Sequence, residues 1–194
     1  SARQIGFTLR SPGSDDYGVA LRRGEPWLCR GSAPLLVATD LLIPGRHNLA
    51  NALATLAMGE ACGLPMAAML EGLRVFRGLP HRTELVAQVR GIRWYNDSKG
   101  TNPGATIAAL EGLHPGVGNS RTVLIAGGDA KGADFSALAP VVERTVRAVV
   151  LIGRDAPLIE AALHGSVALL RAGDMEQAVA LAAQKSVKLG QPDE

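Results

Sequence analysis

The run Asn96-Asp-Ser-Lys-Gly-Thr-Asn102 puts an acid, an amine, two hydroxyls and two amides into seven consecutive positions. Bulky, β-prone residues precede it (Ile92, Trp94, Tyr95), and Pro103 follows where a helix should open, with Asn102 as a ready N-cap. The polar groups therefore stand at the carboxyl end of a strand and the amino end of a helix. Open α/β sheets bind ligands there, and backbone N–H groups with the helix dipole favour anions. A second polar turn, Gly127-Gly-Asp-Ala-Lys-Gly-Ala-Asp134, also follows a β-rich run. Its paired glycines permit close backbone approach, and Asp129 and Lys131 are placed to project from the strand end. Taken alone, this turn reads equally well as an ordinary connection carrying a solvated charge pair. Neither turn is a P-loop, because G-x-x-x-x-G-K-[ST] occurs nowhere in the chain, and neither is the G-x-G-x-x-G dinucleotide fingerprint.

Two further groups complete the set. Asn48 and Asn51 are three apart, hence on one face of a first helical turn, where side-chain amides can read a nucleobase or ribose edge. Asn48 is also a plain N-cap candidate. His81-Arg82 follows a Gly/Pro break, and an arginine there can grip phosphate or carboxylate with both arms; His81 reads equally as a polar linker residue. Two lysines and an arginine among these candidates suggest an anionic substrate. No Ser/His/Asp triad is present, and the four histidines have no zinc-ligand spacing.

The elements that must position these residues change style along the chain. Ile5–Leu9, Tyr17–Arg22, Trp27–Arg30 and Leu35–Ala38 read as short strands of a meander, broken by turn residues. Pro44-Gly45 is a turn, and a helix capped by His47 or Asn48 should run to Gly63. A second helix spans Pro65 to about Phe76, with its Met69, Leu70, Leu73 and Phe76 stripe assigned to the core. A boundary near Gly78–Pro80 divides the chain into domains 1–79 and 80–194. Beyond it Leu85–Val89 and Ile92–Tyr95 flank a tight Arg90-Gly91 turn. Strands Thr122–Ala126, Ala148–Ile152 and Val167–Leu170 then alternate with helices Pro103–Leu113, Phe135–Val146 (interrupted by Pro140), Pro157–Leu163 and Met175–Leu189, the last capped by Asp174 and ended by Gly190. Such alternation implies an α/β fold with a Rossmann-like, doubly wound, mostly parallel sheet. The turn at Gly190 should deliver the chain into another strand, so the 194 residues read as part of a longer protein, cut within the second domain.

Composition bounds the rest. A 47% apolar content allows a sizeable core, and a formal charge of +2 argues neither for a nucleic-acid surface nor for an acidic tail. No apolar run reaches the ~18 residues of a membrane span, and no signal-peptide pattern opens the chain. Cys29 and Cys62 form neither a disulfide framework nor a metal motif and read as reduced thiols of a cytoplasmic protein.

Four separated motifs, Gly45-Arg-His-Asn-Leu-Ala-Asn51, Phe76-Arg-Gly-Leu-Pro-His-Arg82, Asn96–Asn102 and Gly127–Phe135, resemble in order and spacing those of the Mur ligases, over about residues 41–190. These are the ATP-dependent enzymes that add amino acids to the peptidoglycan precursor, and the motif forms are nearest to the D-glutamate-adding branch. The resemblance implies that residues 1–79 are the C-terminal part of a central ATP-binding domain and residues 80–194 most of a Rossmann-like amino-acid-binding domain. It implies ATP contacts for Asn48, Asn51, Arg82 and Asp97. It places Lys99 near the nucleotide and acyl phosphate, and His81, Thr101 and Lys131 at D-glutamate with Asp129 supporting Lys131; Lys99, Lys131 and His81 would be the catalytic groups. Gly100 stands where alanine is common in the family, and Pro103 where valine is.

The implied reaction is phosphorylation of the UDP-MurNAc-L-alanine carboxylate by ATP, then attack by the D-glutamate amine with release of phosphate. The implied protein is a monomer that engages no nucleic acid or membrane. Its P-loop and Mg2+ ligands belong to a part of the family's chain upstream of these residues, so this chain alone is expected to be inactive, with no metal site of its own. The alternatives are another Mur ligase, folylpolyglutamate synthetase, or a non-catalytic Rossmann-like binding module; a D-N-P-R-like motif, expected of a meso-diaminopimelate adder, is absent from these residues.

Overall fold

A computed structural model describes residues 4–114, 121–129 and 132–186. It divides into two compact units, Ser1–Pro80 and His81–Glu194, each described by itself below.

In the first unit β1 (Tyr17–Arg22), β2 (Glu25–Arg30) and β3 (Ala33–Val37) form an antiparallel meander in the order β1-β2-β3. Arg23 (φ 52°) and Gly24 (φ 84°) make the two-residue β1–β2 turn, whose left-handed backbone matches the strand twist. Helices α1 (Arg46–Ala61) and α2 (Met66–Val75) cover the sheet. Tyr17, Leu28, Leu36, Leu53, Leu56 and Leu73 form the core, with Met69 and Leu70 packed against it; Phe76 lies outside that core and is exposed.

Two expectations fail here. Ile5–Leu9 is not a strand: it makes a single parallel bridge, Phe7 to Tyr17. A parallel ladder needs a crossover of about a dozen residues or more, and the link between these segments is shorter. The Gly6 N–H is instead taken by the Asp16 carboxylate at 2.8 Å. Nor do His47 or Asn48 cap α1. Gly45 does, at φ 106°, and its carbonyl accepts the N–H groups of Asn48 and Leu49.

In the second unit β4 (Glu84–Val89) and β5 (Ile92–Asn96) form a hairpin, turned by Arg90 (φ 50°) and Gly91 (φ 75°). Helix α3 (Pro103–Leu113) follows, opened by Asn102, whose Oδ1 accepts the Ala105 N–H at 2.9 Å. Then β6 (Thr122–Gly127), β7 (Val146–Ile152) and β8 (Ala168–Arg171) build a parallel sheet in that order, with α4 (Ala139–Thr145), α5 (Ala156–Leu163) and α6 (Met175–Ser186) between and after them. The near-continuous apolar run of β7 is what burial on both faces demands. Val149 and Leu151 pack with Leu110, Val142, Ile159 and Leu163 on one side, and Val150 packs with Ala178 and Ala182 on the other. The sheet is therefore Rossmann-like and covered on both faces.

The helix expected over Phe135–Val146 is split. A 3-10 turn, Ser136–Leu138, precedes α4, because Pro140 has no N–H to continue a helical ladder back into the turn. Asp174 caps α6 as expected, its Oδ1 accepting the Gln177 N–H at 2.8 Å; the expected end of that helix at Leu189-Gly190 lies outside the described residues.

One polar cluster is built into the first core. The fully buried Tyr17 donates its hydroxyl to Glu60 Oε2 at 2.6 Å, and Arg30 donates Nε and Nη2 to the same carboxylate at 2.7 and 2.9 Å. Burial, then the bond to Glu60, push the Tyr17 hydroxyl up to about 12. A proton held more tightly in the folded state stabilises the fold fully below the ordinary tyrosine value near 10, and that contribution is lost as the pH rises toward 12. Tyr17→Phe should abolish this alkaline loss, and Glu60→Ala should cost roughly 2 kcal/mol at neutral pH. Urea unfolding followed at Trp27, at pH 8 and pH 11, measures both.

Candidate functional site

The densest polar arrangement lies where the hairpin begins and ends. Asp97, just past β5, accepts the Thr83 N–H at 2.8 Å and the Thr83 hydroxyl at 3.3 Å, both on Oδ1. The two bonds tie the turn entering β4 to the turn leaving β5. On the leaving side the chain folds tightly on itself: the Asp97 carbonyl accepts the Gly100 N–H at 2.7 Å, and the Lys99 carbonyl accepts that of Thr101 at 2.9 Å. Asn102 then opens α3. A Cβ built on Gly100 would lie 2.6 Å from Asp97 Oδ2, so that carboxylate oxygen hangs directly over the glycine and would have to turn aside for an alanine.

On the entering side His81 (φ 64°) and Thr83 (φ 44°) both take the left-handed conformation. Each costs of order 1–3 kcal/mol, the most for a β-branched threonine. His81 is held at three points: its N–H by Glu84 Oε2 at 2.8 Å, its carbonyl by the Lys99 N–H at 3.0 Å, and its ring Nδ1 by the Asn96 amide at 2.8 Å. The second face of Asn96 accepts the Ser98 N–H at 3.1 Å. Between the two strained residues stands Arg82, exposed, with no hydrogen bond or ion pair among the described residues; the Lys99 amine is likewise exposed and unpaired among them. His81, Arg82, Asp97, Lys99 and Thr101 are thus gathered in one connected set of turns that offers two free cations. Such a set suits phosphate or carboxylate.

The parallel strands end close together. A Cβ on Gly127 (φ 155°) would fall 1.8 Å from the Ile152 carbonyl oxygen, and one on Gly153 would meet the Gly128 nitrogen at 2.9 Å. The Gly128 N–H donates to the Ile152 carbonyl at 3.2 Å, and the Asp155 N–H to the Gly128 carbonyl at 3.2 Å. Only glycine lets the ends of β6 and β7 interlock this way. Asp129 leaves that junction and pairs with Arg154 Nη2 at 2.9 Å, while Arg154 Nε reaches Asp155 at 3.2 Å. Lys131 lies outside the described residues, and with it the expected support from Asp129. Past it, the Ser136 N–H and hydroxyl hold the Asp134 carboxyl below its ordinary range.

In the first unit Asn48 donates to the Pro44 carbonyl at 2.7 Å and accepts from Asn51 Nδ2 at 3.3 Å. The two amides do share one face of the first turn of α1. The nearby His47 has a buried Nδ1 with no hydrogen-bond partner.

Sequence reasoning missed Thr83, Glu84 and Arg154. Arg154 had a signal, since Gly153-Arg-Asp155 is a third polar turn at a strand end. Thr83 and Glu84 had none, because they stand between the His81-Arg82 motif and the strand read at Leu85–Val89 and belong to no motif.

The model of the Mur ligase, glutamate ligase domain, matches residues 81–191. The chain belongs to the Mur ligase family. A UDP-N-acetylmuramoylalanine–D-glutamate ligase of Nitrosococcus oceani is 57% identical over 173 residues, covering 89% of this chain and 38% of that protein. One of Acinetobacter baylyi is 48% identical over 182 residues, covering 92% of this chain and 40% of that protein. This Mur ligase chain thus spans well under half the length of these curated relatives. Among solved structures, a folylpolyglutamate synthase of Mycobacterium tuberculosis matches with TM-score 0.63 at 18% identity over 87% of this chain and 40% of that one. The UDP-N-acetylmuramate-alanine ligase of Thermotoga maritima matches with TM-score 0.60 at 21% identity over 80% and 37%. At these identities the two structures establish a shared fold.

Two substitutions test the geometry. Asp97→Ala leaves the buried Thr83 donors unpaired and should cost about 2–3 kcal/mol, read as a lowered urea midpoint. Gly127→Ala cannot keep its place beside the Ile152 carbonyl and should cost about 2 kcal/mol or more, whereas Gly128→Ala, whose added Cβ meets no atom within 4 Å, should cost only the strain of its positive φ.

Proposed function

We propose that this chain is part of an ATP-dependent, ADP-forming ligase that joins D-glutamate to UDP-MurNAc-L-alanine in peptidoglycan synthesis. The observation that carries this is the 57% identity, over 89% of the chain, to a relative bearing that activity in its name. Residues 1–79 are assigned to the end of the central ATP-binding domain and 80–194 to the amino-acid-binding domain. The protein is assigned to the cytoplasm, where both substrates are soluble, and is proposed to act as a monomer that engages no nucleic acid.

In this reading a carboxylate oxygen of UDP-MurNAc-L-alanine attacks the γ-phosphorus of ATP and ADP leaves. The D-glutamate amine then attacks the acyl carbon, loses a proton, and the tetrahedral intermediate expels phosphate. Negative charge moves between phosphate and carboxylate at each step, and fixed cations lower the barrier by matching it. Arg82 is assigned to phosphate and Lys99 to the acyl phosphate, and both are free of internal ion pairs among the described residues, which leaves their charge available to a ligand. Asn48 and Asn51 are assigned to the nucleotide's base or ribose, with Asn51 retaining a free amide oxygen. Asp97 is assigned to the nucleotide, His81, Thr101 and Lys131 to D-glutamate, and Asp129 to the loop that carries Lys131. Among the described residues no cluster of three acidic, His or Cys side chains could hold a metal. By the family resemblance, the Mg2+ that accompanies ATP is assigned to ligands upstream of these residues, and no step above runs through it.

The test is ADP release by the full-length protein with each amino acid in turn. Release should require both UDP-MurNAc-L-alanine and D-glutamate, and Lys99→Ala should lower kcat roughly 10²- to 10³-fold. Turnover with L-lysine, meso-diaminopimelate or a folate in place of D-glutamate would assign the chain to a different ligase; no nucleotide turnover at all would leave a binding module. The 194-residue chain by itself should show none.

A further inference from the structure

We infer that Glu84 is a positioning residue for the ligation, acting through the turn His81–Thr83; this rests on the D-glutamate ligase reading above. The starting point is where the backbone is strained. Among the described residues four that are not glycine have positive φ: Arg23, His81, Thr83 and Arg90. Arg23 and Arg90 each precede a glycine at the tip of a two-residue hairpin, where the turn type requires that conformation. His81 and Thr83 have no such reason. They flank a single residue, Arg82, and nothing in the hairpin's register demands a left-handed backbone at either. Strain of this kind persists only where surrounding contacts over-determine it, and it gathers at functional positions.

Thr83 is held by Asp97. His81 is held at its N–H by Glu84, which is itself fixed as the first residue of β4, paired in register with Asn96. Asn96 in turn binds the His81 ring. Glu84 makes no ion pair with Arg82 among the described residues. Its charge serves a backbone N–H and does not neutralise the guanidinium beside it. The consequence is a turn that presents a free Arg82 and a fixed imidazole. Without the Glu84 acceptor, the His81 N–H loses its partner and the turn can relax out of the left-handed conformation, carrying both side chains with it.

The distinguishing variants are Glu84→Ala, which removes the acceptor, and Glu84→Gln, which keeps it without the charge. In the full-length protein, Glu84→Ala should lower kcat/KM for ATP and for D-glutamate roughly 10- to 100-fold, with the KM for UDP-MurNAc-L-alanine and the Tm unchanged. Glu84→Gln should restore most of the loss. Amide hydrogen exchange at His81 and Lys99, the two N–H groups that pin the turn, should speed up in the alanine variant and stay at the wild-type rate in the glutamine variant. Wild-type kinetics in Glu84→Ala, a loss shared equally by all three substrates and tracking Tm, or failure of glutamine to rescue would overturn the proposal. So would unchanged exchange at His81 and Lys99, whether or not the protein turns over. An inactive wild-type protein whose His81 exchange still depends on Glu84 would instead overturn the ligase reading on which the proposal rests.

Discussion

The second unit depends on one carboxylate oxygen. Asp97 Oδ1 takes both the N–H and the hydroxyl of Thr83, fourteen residues earlier. Hydrogen bonds to a charged group contribute about 1.5–3 kcal/mol each, and a left-handed β-branched residue costs of order 1–3 kcal/mol. Together the two bonds match or exceed that strain, so the turn keeps its left-handed backbone while Asp97 is in place. Everything downstream inherits that position. The Asp97 carbonyl sets Gly100, the Lys99 carbonyl sets Thr101, and Asn102 starts α3 one residue later.

The junction of β6 and β7 achieves the same rigidity with no charge at all. There the constraint is steric: the chain passes so close to the Ile152 carbonyl that position 127 has room for no side chain. The Asp129–Arg154 pair beside it is of another kind. Both side chains are more than half exposed, and surface pairs contribute about 0–1 kcal/mol. The interlocked backbone, not the ion pair, fixes where the loop after β6 departs. A polar loop that starts from a rigid strand end suits ligand recognition.

Local chemistry was legible in the sequence where one residue type decides the backbone. Arg90-Gly91 announced its hairpin, Asn102-Pro103 announced α3, and the apolar run Ala148–Ile152 announced the strand β7. Failures arose where a distant partner or a competing glycine decided instead. Ile5–Leu9 has strand composition but too short a link to pair in parallel. Asn48 is a good cap in type, but Gly45 turns the chain three residues earlier. Of the candidate site, the polar turn was visible at once because its residues are contiguous. Its clamp was not, since no periodicity reveals that Thr83 takes a positive φ or that Glu84 reaches back to His81. A contact across a hairpin between a side chain and a strained backbone leaves no trace in composition.

The clamp also narrows what Asp97 can do under the proposed function. The family resemblance assigns it to the nucleotide, but one of its two oxygens is already occupied by Thr83. The other lies over Gly100, where the absence of a side chain leaves it open. An acceptor whose rotamer is fixed by one oxygen and whose other oxygen is free suits a hydroxyl donor approaching from a single direction. It suits a phosphate poorly, because like charges would meet. Within the proposed site, then, that geometry favours the ribose over the phosphates as the partner of Asp97. Gly100 matters through the oxygen it leaves uncovered: a larger residue there would have to turn Asp97 Oδ2 aside, and because the two oxygens are rigidly joined, turning one disturbs the bonds that the other makes to Thr83.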